Sequence, residues 1–209
     1  MGRPQLLLVG AGGHARACID VIECSGVYEI AGLIGLPHEE GAINLGYPVI
    51  SDDGDFSSLV DKFRFALVAV GQIRSAAVRA RLYQQLIETG FDLPTIISPL
   101  AYVSAHAKIG VGSIVMHAAV VNAGAVVGRN CIVNTRALVE HDAAVGDHSH
   151  VATGAILNGG AQVGSGSHVG SGSVVKEGVA IGHGCLIGMG LSVRHDLPDG
   201  TRFVGEPKA

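Results

Sequence analysis

The residues with the most obvious chemical potential are Glu140-His141-Asp142. An imidazole titrates near neutrality, and a carboxylate beside it can orient the ring and stabilise its cation, which is what a general base requires. The chain has 10 histidines. Eight of them, His106, His117, His141, His148, His150, His168, His183 and His195, lie in its second half. Any one of these taken alone reads as a solvated surface residue, and His141 is singled out by its flanking acids.

A second chemistry is written in Gly10-Ala11-Gly12-Gly13-His14-Ala15, which follows the apolar run Gln5 to Val9 and precedes a helical stretch reaching about Ser25. Glycines at a strand-to-helix turn let backbone N–H groups approach an anion at the helix N-terminus, so this turn either cradles a phosphate or is a tight connection holding nothing. A dinucleotide-binding domain places an acidic residue at the end of the second strand to hold the ribose. Here that place reads Gly35-Leu36-Pro37, and the segment is too short for a full dinucleotide fold, which argues against NAD.

The 4 cysteines form no Cys-x-x-Cys pair and so give neither a disulfide framework nor a zinc-ribbon spacing. Cys131 and Cys185 fall where small core residues belong, and Cys18 and Cys24 fall on the first helix. Without basic neighbours such thiols are poor nucleophiles, so direct transfer is expected rather than a covalent enzyme intermediate.

These groups must be held by an unusual scaffold. The 209 residues include 31 glycines and no Trp, with 48% hydrophobic and only 4% aromatic residues, so the core is built from small and β-branched side chains. Every sixth residue from Ile97 to Val193 is Ile, Val or Leu. If such residues filled about a third of positions at random, the run would arise with a probability on the order of one in a hundred million. The fifth hexad position is small from Ala101 to Ser173, and glycines recur just after the aliphatic position and at the fourth. Six residues fit neither a helix nor a long strand, but they fit a parallel β-solenoid with several short strands per coil, its corners needing φ > 0 or close backbone approach. The first half alternates strands (5–9, 29–34 and 65–70) with helices (to about Ser25, and Ser75–Thr89), predicting a small parallel α/β domain over 1–95 that joins the solenoid of 96–209 near Pro94.

The hexads, of the form [LIV]-G-x-x-[STA]-x, resemble those of the hexapeptide-repeat acyltransferases, a family built on a left-handed parallel β-helix with three hexads per triangular coil. Together with Gly10-x-Gly12-Gly13-His14, the resemblance is to the sialic acid O-acetyltransferase and nucleotide-amino-sugar N-acetyltransferase family, in which a Rossmann-like N-terminal domain precedes the β-helix. It implies a nucleotide-linked sugar held at Gly12, Gly13 and His14, with Gly71 and Arg74 matching a later glycine turn and basic residue. Asn134-Thr135 with Glu140-His141-Asp142 matches the catalytic stretch, so His141 is implied as general base supported by Asp142. His150 matches a histidine near the acetyl donor, against a solvated corner as the plain alternative. Acetyl-CoA is implied in a groove between two subunits of a homotrimer, touching Gly159, Gly188 and Gly190. The tail Gly205-Glu206-Pro207-Lys208 is similar to the family's ending but lacks its alanine.

The resulting expectation is an acetyl-CoA-dependent N-acetyltransferase acting on a nucleotide-activated amino sugar for polysaccharide synthesis. The rivals are a sugar O-acetyltransferase of the sialic acid type and a non-enzymatic trimeric scaffold that binds a sugar nucleotide. No metal is expected, because with three hexads per coil only His150 and His168 stack on neighbouring coils, whereas zinc needs several imidazoles converging on one point. A net charge of -4 gives no footprint for nucleic acid. No apolar run reaches the roughly 18 residues of a membrane span, and the N-terminus lacks a signal-peptide pattern, so a cytoplasmic protein is expected.

Overall fold

The structure, a computed structural model, describes residues 2–52 and 56–205. Its first part is a five-stranded sheet of β1 (Gln5–Val9), β2 (Glu29–Gly35), β3 (Ile43–Asn44), β4 (Tyr47–Asp52) and β5 (Phe65–Val68), in the order β3-β4-β2-β1-β5. All pairings are parallel except the β3–β4 hairpin. Helices α1 (Gly13–Ser25), α2 (Phe56–Leu59) and α3 (Ala77–Thr89) accompany it. After β2 the chain builds outward on one side of β1, and β5 then lies on the other side. The carboxyl ends of β2, β1 and β5 therefore surround a switch-point crevice, the position where open α/β sheets place ligands.

From Ile96 the chain winds into coils of three two-residue strands, each pairing in parallel with the strand 18 residues on, as in Val120↔Leu138 and Leu138↔Ile156. Three flat sheets of seven, six and five strands make the sides of a prism. This is the left-handed β-helix. Its axis is filled by the aliphatic column, Val115, Val121, Val127, Val133 and so on to Val193, together with the small fifth-position residues. Buried serines serve both neighbours: Ser113 Oγ donates to the Gly128 carbonyl at 2.7 Å and accepts from the Cys131 N–H at 2.8 Å, leaving no unpaired hydroxyl in the stack.

The two glycine columns have different reasons. Fourth-position residues adopt left-handed backbone, from Gly112 at φ +70 to Gly190 at φ +68. After the aliphatic position it is space that matters, since a Cβ on Gly110 would lie 2.5 Å from the Gly128 carbonyl carbon.

One face of the prism is covered by the α/β domain. Its outward column runs Ile96, Ile114 and Ile132, all nearly fully buried against α1 and β1, followed by His150 and His168. The joint is locked by Arg79 of α3. The guanidinium is buried and donates to the Val68 carbonyl (3.0 Å) and to the Asn130 carbonyl (3.2 Å) and Oδ1 (2.7 Å). Asn130 in turn occupies a left-handed corner at φ 52, a conformation that Asn tolerates.

Candidate active site

His141 lies at a corner between the two uncovered faces, following the strand Leu138–Val139. Its Nδ1 donates to Asp142 Oδ2 at 2.9 Å. That bond fixes the ring and leaves Nε2 as the basic nitrogen. The site is open, with side-chain exposures of 66% for His141 and 72% for Asp142. The hydrogen bond to Asp142 raises the imidazole pKa above its ordinary 6.5. The backbone is set for this: Asp142 takes the left-handed corner at φ 60, which Asp tolerates better than most residues. Glu140 is held apart from the dyad, its Oε2 accepting from Asn122 Nδ2 (2.9 Å) and from the His141 N–H (3.0 Å). One coil on, Gly159 provides room, since a Cβ there would lie 2.6 Å from His141 Nε2.

The second feature is the switch-point crevice, a cleft of about 400 Å³. Its floor is the turn Gly10 to His14, with Gly71 beyond β5 and apolar walls from Val9, Ile34, Leu36, Val78 and Leu82. Gly10 has φ +127, and a Cβ there would lie 2.9 Å from the backbone of Val70, so the turn demands glycine. Gly12 caps α1 with no side-chain hydrogen bond, and a Cβ on Gly12 or Gly13 would meet nothing within 4 Å. The first-turn N–H groups thus face open space where an anion is favoured. His14 Nε2 is buried without a partner, and burial lowers its pKa to about 4, so the ring is neutral.

A third cavity, also lying along the edge of the covered face, is lined by Arg74, Asn134, His150, His168, Gly188 and Met189, among others. His150 is not a solvated corner residue. It sits on the strand His150–Val151 under the α/β domain, its Nδ1 donating to the Gln72 carbonyl at 2.7 Å and its Nε2 accepting from Asn134 at 3.0 Å. Burial lowers its pKa to about 3. The expected stack with His168 is present, with ring centroids 4.9 Å apart. Both nitrogens of His150 are engaged, so the pair is no nucleus for a metal. Among the described residues, no group of three or more His, Cys, Asp or Glu can hold one.

Gly12, Gly13, His14 and Gly71 therefore share one cleft, while Arg74, read with them from the sequence, lines the cavity of His150 and Gly188. Gly159 stands against His141 rather than in that cavity, and Gly190 is a left-handed corner. His141 lies away from the covered face, so one chain alone does not bring it to the glycine cleft. The tail residues Glu206 to Lys208 lie outside the described residues. Cys18, Cys131 and Cys185 are buried, and burial pushes the thiols of Cys18 and Cys131 up to about 12 and 11, unsuited to nucleophilic work. Sequence reasoning missed Glu39, which follows the acid-free segment Gly35-Leu36-Pro37. A turn of 3-10 helix (Pro37–Glu39) folds it back so that Oε2 accepts the Leu36 N–H at 2.8 Å and the carboxylate lines the cleft. Its only signal was an acid three residues after Leu36, the position that caps this turn.

Residues 5–86 match the family model of the PglD N-terminal domain. Curated protein sequences gave no match. Among solved structures, the chain is 32% identical to a histidine-to-asparagine variant of perosamine N-acetyltransferase from Caulobacter crescentus, crystallised with CoA and GDP-perosamine. That match has a TM-score of 0.88 over 93% of this chain and 90% of the other. It is 35% identical, with a TM-score of 0.86 over 95% of both chains, to the acetyltransferase domain of PglB from Neisseria gonorrhoeae FA1090 in complex with acetyl coenzyme A. WeeI from Acinetobacter baumannii AYE, at 19% identity and a TM-score of 0.63 over 94% of both chains, shares the fold. Similarity of this extent over both parts of the molecule shows that the chain belongs to the hexapeptide-repeat acyltransferases of the sialic acid O-acetyltransferase and nucleotide-amino-sugar N-acetyltransferase family, and is an acetyltransferase.

Proposed function

We propose that the protein transfers the acetyl group of acetyl-CoA to the amino group of a nucleotide-linked amino sugar, directly and with His141 as general base. The observation that carries this reading is a free imidazole Nε2 at an open corner, braced by Asp142, in a chain alike over nine-tenths of its length to an enzyme crystallised with CoA and a GDP-linked amino sugar. The amine nitrogen attacks the thioester carbonyl and a C–N bond forms while His141 Nε2 takes the amine proton. The tetrahedral intermediate collapses with cleavage of the C–S bond, and the leaving thiolate needs little acid assistance. Asp142 supports the transient imidazolium.

The acceptor's diphosphate is assigned to the N–H groups at Gly12 and Gly13, with His14 and Gly71 beside it. The donor is assigned to the cavity of Arg74, His150 and Gly188, extending to Gly190 and along the corner of Gly159. The separation within one chain supports a homotrimer, in which packing the uncovered faces together would set His141 of one subunit near the sites of the next. The outward column of one such face, Val120, Leu138, Ile156 and Val174, is apolar and only half-covered. Dependence on acetyl-CoA and a sugar nucleotide argues for action in the cytoplasm.

Calorimetric titration with acetyl-CoA tests the reading against a binding-only scaffold. Saturable binding is expected, and a protein that ignores acetyl-CoA is not an acetyltransferase of this kind.

Two variants sharpen the assignment. Gly12→Val adds a side chain in open space on a backbone with φ -82, so the fold should persist. Acceptor affinity should fall roughly tenfold or more while donor affinity holds. Equal loss of both would remove the acceptor from this cleft. Asp142→Asn should displace the pH profile. His141 works as the neutral imidazole, so the rate rises with pH through its pKa, which Asp142 holds above 6.5. Removing that carboxylate lowers the pKa and moves the midpoint of the rise to lower pH, with a smaller loss of rate than in a His141 deletion. A limb due to the substrate amine would not move.

A further inference from the structure

The cleft assigned to the acceptor has a polar feature that the phosphate does not explain. Beyond the glycine floor its walls are mostly apolar, with Arg81 on the α3 side, and two of the apolar residues, Leu36 and Val78, are 51% exposed. Large aliphatic side chains left open on both the strand side and the helix side suit a flat, aromatic occupant. At the edge of this apolar slot stands Glu39. Its carboxylate is already positioned, because Oε2 accepts the Leu36 N–H at 2.8 Å and its Cβ packs where a side chain on Gly35 would lie, 3.2 Å from an added Cβ. Among the described residues the carboxylate has no other hydrogen-bond partner, and an ionised carboxylate only accepts hydrogen bonds.

The bases differ sharply in what they offer such a group. Guanine presents two adjacent donors, N1–H and the N2 amine, which match a carboxylate in the bidentate manner that makes charge-assisted pairs strong. Adenine and cytosine present an amine beside a ring-nitrogen lone pair, one donor and one repulsion. Uracil presents N3–H between two carbonyl acceptors, both of which repel a carboxylate. We propose that Glu39 is the base-reading residue of the glycine cleft, and that the nucleotide of the acceptor is a guanosine diphosphate. The inference rests on the reading of this cleft as the nucleotide site and adds the identity of the base.

The test is calorimetric titration of the full chain and of Glu39→Gln with GDP, ADP, CDP and UDP, none of which requires turnover. Gln keeps an acceptor for the Leu36 N–H, so the turn and the melting temperature should be retained. It must then offer its NH₂ group to the donors of guanine. The parent should bind GDP roughly ten- to a hundredfold more tightly than UDP, and Glu39→Gln should lose most of that preference by weakening GDP alone. Equal affinities in the parent, or a preference for UDP, would overturn the inference while leaving a nucleotide site in place. Equal weakening of all four diphosphates by Glu39→Gln would also overturn it, by putting the carboxylate on the ribose. If no diphosphate binds the parent, the reading of the cleft itself is wrong and the inference falls with it.

Discussion

Replacing His141 by Ala is expected to lower turnover by a factor on the order of a hundred to ten thousand, the usual share of general-base catalysis, while leaving the protein's stability and its affinity for acetyl-CoA nearly unchanged. The separation of effects follows from position. The side chain stands at an exposed corner and makes one side-chain hydrogen bond among the described residues, to a carboxylate that is itself exposed. Its removal costs the fold little. The reaction, however, loses the nitrogen that accepts the amine proton, and at neutral pH water is a poor substitute. The rise of rate with pH attributed to the imidazole should vanish in the variant. Full activity of His141→Ala on the true acceptor would move the base elsewhere.

The largest effect on folding is expected from Val151→Asp. Val151 is fully buried, lies between Val133 and Val169 on the neighbouring coils, and faces the axis of the prism. A carboxylate there finds aliphatic side chains and no donor. Whether it stays charged or takes up a proton, the cost is about 5 kcal/mol or more, comparable with the whole stability of many domains. The variant should be insoluble or melt far below the parent. Gln162→Glu, at an exposed outward position on another face of the prism, should stay within about 0.5 kcal/mol. A parent-like melting curve for Val151→Asp would mean that the axial column has been assigned wrongly.

The β-helix was legible because its physics is local and repeated. A buried axial residue every sixth position, a small fifth residue and a left-handed fourth one each leave a mark at fixed spacing, and seventeen repetitions make the marks unmistakable. The glycine turn was legible for a similar reason, since Gly10 cannot be replaced where the backbones of β1 and β5 cross so closely. What the sequence hid depends on packing between distant segments. Nothing in the spacing of α3 singles out Arg79, and only its meeting with Asn130 and the carbonyl ends of β5 makes it a buried tie. Val78, one turn before the buried Leu82 on that helix, is left open in the cleft. His150 reads as a corner residue until the α/β domain folds onto its face. Glu39 was overlooked because the expected place for an acid is the strand end, and the turn after β2 brings one there from three residues beyond Leu36.

The most direct measurement of the central claim is thiol release from acetyl-CoA with a panel of acceptors: nucleotide-linked amino sugars, the same compounds already N-acetylated, and free sialic acid. Rapid release with the free amines only, yielding the N-acetylated sugar nucleotide, is the result predicted. Release with sialic acid but not with the amines would contradict the account by making the protein an O-acetyltransferase, and binding of acetyl-CoA without release on any acceptor would contradict it by making the protein a scaffold.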